Sequence, residues 1–394
     1  MSRILFLCSR TPYPPFDGAR LRVYHTAKIL SREYEVDLLI IDESPREDDA
    51  IEALESEFSN VRAFTYPKFR FYLNAGRGVF SKWPLQAHYY WFRDVHRWID
   101  NRSHRYDLFF CSHLRTAKYV RGRDVLTAID LVDAMSRTYE RMSSELSGTQ
   151  RAIYEVEHRR MPAFERRLVD EFDISFITSP VDKKHIEAGW RAAPELSVVP
   201  NGVDEKLLKK GPAVSKPSST IVFLGKMDYF PNEDAVCYFV EEIFPAIRDN
   251  IPAATFRIVG MNPTATVREL SEQPGVEVTG FVDQPIDHLI EADVVVAPMR
   301  HGAGIQNKIL EAMALGKAVV TTPLGAEGIA ATAGVHFLVA SSSSVFANST
   351  VELLREDNRR SEIGKKAHGR ISQQYTWDAV AESLLDPMRE LLSQ

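Results

Sequence analysis

"EADVVVAPMRHGAGIQNKILEAMALGKAVVTT", residues 291–322, decides the fold. An apolar run ends at Pro298, a loop with Gly302 and Gly304 follows, and a 3.6-residue apolar period begins near Ile305. A second apolar run starts at Ala318. Strand, glycine loop, helix and strand in this order are one βαβ unit, which needs a parallel sheet covered on both faces. The pattern predicts a helix from about Gly304, with Gly304, Lys308 and Glu311 on one face and Ile305, Ile309 and Ala312 on another. The second face is expected to be buried and the first to meet a ligand crevice. A helix mouth presents free amides and the positive dipole end to an anion. Lys308 can then reach that anion, and Glu311 can accept two hydrogen bonds from a diol such as ribose. On spacing alone, a glycine turn with a solvated Lys/Glu pair accounts for the segment equally well.

The same alternation runs along the chain. "RILFLC", "VDLLII", "DLFFC", "VLTAI", "ISFIT" and "LSVVP" precede residue 200, and "TIVFLG", "TFRIV", "VEVTG", "DVVVAP", "AVVTT" and "VHFLVA" follow it. At 394 residues the chain exceeds one ordinary core. Two doubly wound domains are therefore expected, 1–200 and 201–374, with residues 375–394 as a terminal helix. "KKGPAVSKPSST", residues 209–220, has the composition of a linker.

Bulk properties narrow the class. The composition is that of a folded enzyme, 44% hydrophobic and 26% charged. A net charge of −6 argues against a dedicated nucleic-acid binder. Cys8, Cys111 and Cys237 are too few and too far apart for a metal-ligand pattern, and Cys8 and Cys111 sit in apolar runs as small core residues. A reducing, cytoplasmic setting follows. No signal peptide is read at "MSRILFLCSRTPYPP", and no apolar stretch approaches membrane-spanning length.

Other strand ends carry candidate chemistry. Gly225-Lys226 follows "IVFL", with a helix expected beyond Pro231, and Gly18 follows the first strand. His113 and Arg115 lie just past "DLFFC", and Asp130 and Asp133 past "VLTAI". Each has an ordinary alternative: a loop lysine, a turn glycine, a structural histidine, a helix N-cap. Residues 69–98, "FRFYLNAGRGVFSKWPLQAHYYWFRDVHRW", mix aromatics with cations. They read either as an aromatic core with solvated charges or as a surface facing anionic lipid headgroups.

Taken together, these segments resemble a known family. "LGKMDYFPNEDA", "VEVTGFVDQPIDHLIEADVVVAPM" and "GAGIQNKILEAMA" resemble the donor domain of family 4 glycosyltransferases, retaining enzymes of the GT-B fold. "ILFLCSRTPYPPFDGARLR", "LVDAMSRTYERM", "SPVDKKHI", "VVPNGVD" and "YTWDAV" are similar to a bacterial subgroup associated with exopolysaccharide and PEP-CTERM systems. The resemblance covers most of the chain and is weakest from about 62 to 105.

It implies two Rossmann-like domains facing a cleft, with the terminal helix packing back on the first. It also implies a UDP- or GDP-type nucleotide sugar as co-substrate, no metal or other cofactor, and a glycan or lipid-linked glycan acceptor. Lys226 then resembles the residue that holds the donor diphosphate, with Asn232 beside it, and Glu311 the ribose-binding second glutamate of an E-x7-E motif. Gly304, Ile305 and Gln306 would offer amides to phosphate or sugar, and Phe281 and Val282 would cradle the nucleobase. Gly18 resembles the loop glycine at the diphosphate and His113 the histidine near the transferred sugar; Asp133 is grouped with His113 and Lys226 as catalytic. Two positions depart from the pattern: Ala303 stands where the first glutamate of E-x7-E belongs, and a lysine expected after 226 is missing, for which Lys308 is the substitute cation. No Asp-x-Asp triplet occurs, in keeping with metal independence. The expected function is sugar transfer in cell-surface polysaccharide or glycoconjugate synthesis, in the cytoplasm with peripheral contact at the inner face of the membrane. The alternative drawn from Ala303 is a nucleotide-sugar-binding scaffold without turnover. A GT-B epimerase is disfavoured by the order of the motifs.

Overall fold

The computed structural model describes all residues except 16, 44–47, 144–147, 189, 191–194, 213–217 and 394. The chain divides into two compact units, Met1–Pro200 with Val380–Gln394, and Asn201–Ala379.

The first unit holds a seven-stranded parallel sheet: β1 (Arg3–Cys8), β2 (Glu35–Asp42), β3 (Asn60–Thr65), β4 (Leu108–Cys111), β5 (Leu126–Asp130), β6 (Ile174–Ile177) and β7 (Leu196–Val198). Their spatial order is β3-β2-β1-β4-β5-β6-β7. β1, β4 and β6 are buried on both faces nearly throughout, as the continuous apolar runs require. β3 is different. It sits at the sheet edge, half exposed, with polar residues breaking the run, and this is why no apolar signal marks it in the sequence. Between β3 and β4 the helices Lys68–Arg77, Leu85–Tyr89 and Arg93–Asp100 fill the stretch where family likeness is weakest.

The second unit repeats the plan with β8 (Thr220–Leu224), β9 (Thr255–Val259), β10 (Val276–Gly280), β11 (Val294–Ala297), β12 (Ala318–Thr321) and β13 (Leu338–Val339). The order is β10-β9-β8-β11-β12-β13, parallel throughout. In each sheet the order reverses beside the first strand of the unit, between β1 and β4 and between β8 and β11. The crevice outside the carboxyl ends of such a strand pair is where open α/β sheets bind ligands.

Two boundaries differ from the sequence reading. The helix expected from Gly304 begins at Asn307, because Gly302 and Gly304 take φ of +113° and +74°, which no right-handed helix accommodates. The expected linker overlaps a short helix, Glu205–Lys210; its residues 213–217 lie outside the described residues. The terminal helix runs Trp377–Leu392. Cys8 and Cys111 are buried core residues, as expected.

Two buried polar clusters mark the first unit. Arg22, on the helix Gly18–Leu30, pairs with Asp130 at the end of β5, Nε to Oδ2 at 2.6 Å and Nη2 to Oδ1 at 3.0 Å, and also donates to the Val199 carbonyl. Glu165 accepts from the Ser136 amide at 3.1 Å, while its Oε2 meets no partner among the described residues. Burial pushes its carboxyl up to about 7, with the nearby Asp182 charge adding to the effect. The folded state thus holds this proton more tightly than the unfolded chain. Its stabilisation is full below the unfolded value near 4.5 and is lost as pH rises through about 7. Glu165→Gln, a permanently uncharged mimic, should match the wild type at pH 5 and exceed it by about 1–2 kcal/mol at pH 8. Urea unfolding at the two pH values reads this directly; equal differences at both would contradict it.

Candidate functional site

Three loops meet at the carboxyl edge of the second sheet. After β8 comes Gly225-Lys226, after β9 Gly260, and after β11 the segment Pro298–Gln306. They are packed backbone to backbone. The Gly225 amide donates to Val259 O at 3.0 Å and the Met227 amide to Met261 O at 2.9 Å. A Cβ on Gly260, which has φ of +153°, would lie 1.7 Å from the Gly225 carbonyl oxygen. Only glycine fits there.

Asn232 ties this floor to the β11 side. It lies in the first turn of the helix Phe230–Tyr238, buried, and its Nδ2 donates to the Lys226 carbonyl at 2.9 Å. Its Oδ1 accepts from Lys308 Nζ. Lys308 also lies 4.1 Å from the Phe223 ring centroid, a cation–π contact. Glu311 stands one turn further along the helix Asn307–Ala314. Burial drives both groups toward neutrality, Lys308 downward and Glu311 upward, each partly opposed by the other's charge. Both side chains keep partial solvent exposure, so the pair is neither a freely solvated one nor sealed from the crevice.

The glycine loop is braced from the other side. Arg300 makes a two-pronged pair with Asp234, at 3.1 and 2.6 Å, and His301 Nε2 approaches the same carboxylate at 3.6 Å. The helix beyond has Gln306 as its N-cap with no side-chain hydrogen bond to the first turn. The Ile309 amide donates to the Gln306 carbonyl at 2.9 Å, and the remaining first-turn amides gain no cap from the Gln306 side chain, an end of the kind that receives anions. The first unit contrasts: there the Asp17 carboxylate accepts from the Arg20 amide, so the helix that starts at Gly18 is already capped by an anion. Lys226 is about half exposed, with a surface pair to Asp228 at 3.3 Å. Phe281 is 67% exposed, directly after Gly280 at φ of +68°, while Val282 packs against the core.

In the first unit, His113 follows β4. Burial, Arg115 and Arg10 lower its pKa well below the usual histidine value. Its Nδ1 accepts from the Arg115 amide at 3.4 Å, so the neutral ring carries its proton on Nε2, a donor. Past β5, Val132 holds φ of +69°, strained for a β-branched residue and fixed by three hydrogen bonds. The turn aims Asp133, which accepts from Thr178 Oγ1 at 2.9 Å and is raised to about 6 by burial and the Asp182 charge. Asp130 is occupied by Arg22 and is structural. Arg10 did not stand out in the sequence. It sits just past β1, has no ion-pair partner among the described residues, and was findable by the strand-end rule that marked Lys226.

The second unit is the one that comparison with known families singles out. Residues 218–356 match the family model described as "Glycosyl transferases group 1". That match lies wholly within the second unit. A Mycobacterium tuberculosis GDP-mannose-dependent alpha-(1-6)-phosphatidylinositol monomannoside mannosyltransferase is 27% identical over 249 residues, 57% of this chain and 63% of that protein's length. A 44.6 kDa protein in the cps region of Klebsiella pneumoniae, uncharacterised, is 21% identical over 98% of this chain and 99% of its own. In fold, the chain is similar to sucrose-phosphate synthase from Thermosynechococcus elongatus, with a TM-score of 0.71 at 14% identity, each chain fully covered. Anabaena HepE in complex with UDP and glucose gives 0.66 at 18% identity, with 99% and 100% of the two chains covered. The two Rossmann-like units are those of the GT-B fold.

The junction predicts its own weak point. Asn232→Ala leaves the Lys308 ammonium without its oxygen and should cost about 2–3 kcal/mol at pH 6. The cost should shrink at pH 9, where the lowered lysine is already neutral in the wild type. Denaturant unfolding of the variant at both pH values tests this, and a pH-independent loss would count against a buried cation.

Proposed function

We propose that the protein is a retaining, metal-independent glycosyltransferase that moves a sugar from a UDP- or GDP-type donor to a glycan or lipid-linked glycan in cell-surface polysaccharide synthesis. The single observation behind this is the Asn232 junction. It joins the backbone of Lys226 to the side chain of Lys308 at a topological switch point, within the residues that match the family model. The N-cap of the helix that carries Lys308 makes no side-chain hydrogen bond. A diphosphate seated at the amides of Gly304, Ile305 and Gln306 would draw Lys226 from Asp228 and restore charge to Lys308. Glu311, one turn on, takes the ribose, and Phe281 stacks on the base. Breaking the sugar–phosphate bond leaves negative charge on the phosphate, which these fixed cations and amides stabilise. The leaving phosphate then accepts the acceptor's proton on the same face. In the first unit, His113 with its proton on Nε2 and Asp133 with its raised pKa are the groups suited to hydroxyl-bearing ligands, and Arg10 stands near His113. Ala303 removes one carboxylate from the sugar, which favours donors lacking that contact.

Nucleotide release from a panel of UDP- and GDP-sugars tests the activity, and binding without release would favour the scaffold reading instead. Glu311→Ala should weaken nucleotide binding about 10- to 150-fold, the worth of a charged hydrogen bond. Lys226→Ala should spare the nucleoside and weaken the diphosphate. Wild-type affinity in both variants by calorimetry would refute the site. His113→Ala should lower turnover more than donor affinity; equal losses would place it elsewhere.

A further inference from the structure

Five of the eleven exposed large apolar side chains among the described residues fall between positions 69 and 80. Phe69, Tyr72 and Leu73 stand at i, i+3 and i+4, on one face of the helix Lys68–Arg77. Val79 and Phe80, in the turn that follows the helix, are exposed as well, Phe80 by 99%. The scaffold behind them is built. Phe71, fully buried on the opposite face, packs against the rings of Tyr66, Tyr89, Tyr90 and Phe92. Asn74 Nδ2 donates to the Trp91 carbonyl at 2.8 Å. In the turn, the Arg160 guanidinium binds the carbonyls of Gly78, Val79 and Trp83 at 3.1, 2.6 and 3.3 Å. Gly78 has no room for a Cβ, which would lie 2.6 Å from His88 Cδ2. The apolar tip is thus held outward by the fold.

Charge gives the patch its partner. From Phe58 to Arg93 the sequence has no Asp or Glu and carries six cations, Arg62, Lys68, Arg70, Arg77, Lys82 and Arg93, in a chain of net charge −6. Lys68, Arg70, Arg77 and Lys82 are exposed in the same stretch, Arg70 with its guanidinium over the Tyr66 and Phe92 rings. We propose that this face docks on an anionic membrane surface, with Phe69, Tyr72, Leu73, Val79 and Phe80 entering the headgroup–acyl boundary and the cations facing anionic headgroups. Aromatics with basic neighbours suit that interface on both counts. A second copy of the chain is the poorer occupant, because a two-fold contact would set like charges against each other. Among the described residues no helix is long and apolar enough to cross a membrane, so this contact lies along the surface. The proposal is independent of sugar transfer, since vesicle binding is read without turnover.

The test is flotation of the full chain with vesicles of phosphatidylcholine containing 30% phosphatidylglycerol, and with phosphatidylcholine alone. Wild type should float with the anionic vesicles, less so with the neutral ones, and binding should fall as salt rises. The double variant Phe69→Ser/Phe80→Ser should lower partition at least tenfold, and Lys68→Ser/Lys82→Ser about tenfold on anionic vesicles only. Val345→Ser, an exposed apolar change in the second unit, should float like the wild type. All these positions are exposed, so unchanged melting curves are expected and certify folding. Wild type that stays in solution, or variants that float like it, would overturn the proposal. So would sedimentation velocity showing a dimer that the Phe69→Ser/Phe80→Ser variant abolishes.

Discussion

One side-chain amide organises the second unit's carboxyl edge. Asn232 gives its hydrogens to the loop after β8 and its oxygen to a lysine on the helix after β11, so the two flanks of the switch point are joined through a single planar group. Close approach of that amide is what makes position 225 a glycine: a Cβ there would sit 2.7 Å from Asn232 Nδ2. Gly260 is constrained in turn by the Gly225 carbonyl. The half-buried lysine is received by a neutral oxygen acceptor and an aromatic face, a cheaper arrangement than an unpartnered ion in the same place.

The two units share a winding order but use it differently. In the first, the helix mouth after β1 is closed by its own aspartate, and the chemistry gathers after β4 and β5, on a neutral imidazole and a carboxyl of raised pKa held by a strained turn. In the second, the N-cap residue of the helix after β11 makes no side-chain bond, and Lys226, Lys308 and the Asn232 amide stand among the carboxylates Asp228, Asp234 and Glu311.

Much of the fold was legible in the sequence, for a simple physical reason. Central strands buried on both faces must be nearly continuously apolar and so announced themselves. The edge strands β7, β10 and β13 were still marked by their Val and Leu residues, whereas the edge strand β3 is hidden by Asn60, Arg62 and Thr65. The start of the helix after β11 was misplaced by three residues because periodicity cannot see that two glycines adopt positive φ. The site residues were found by their place at strand ends. Their state was not: Lys308 is received by Phe223 and Asn232, more than seventy positions away in sequence. Asp130 looked like a free strand-end carboxylate, and only the fold reveals Arg22 against it. In residues 69–98 the aromatic-core reading holds for a buried ring cluster, and the exposed apolar and basic side chains beside it could not be told from that core by the sequence.

The chain path has a consequence for biosynthesis. Residues 380–394 belong to the first unit, where Leu384, Leu385 and Met388 are buried and Arg389 pairs with Glu33 at 2.9 Å. The first unit therefore cannot complete its packing on the ribosome when residue 200 emerges. It must wait for about 180 further residues, on the order of 10–35 s at ordinary elongation rates. During that interval the surface awaiting the last helix is uncovered, and the second unit, whose residues 201–379 are contiguous, has time to fold first. The nascent protein is thus a client for chaperones that shield apolar surface, and a premature stop just short of residue 380 would harm the unit made first.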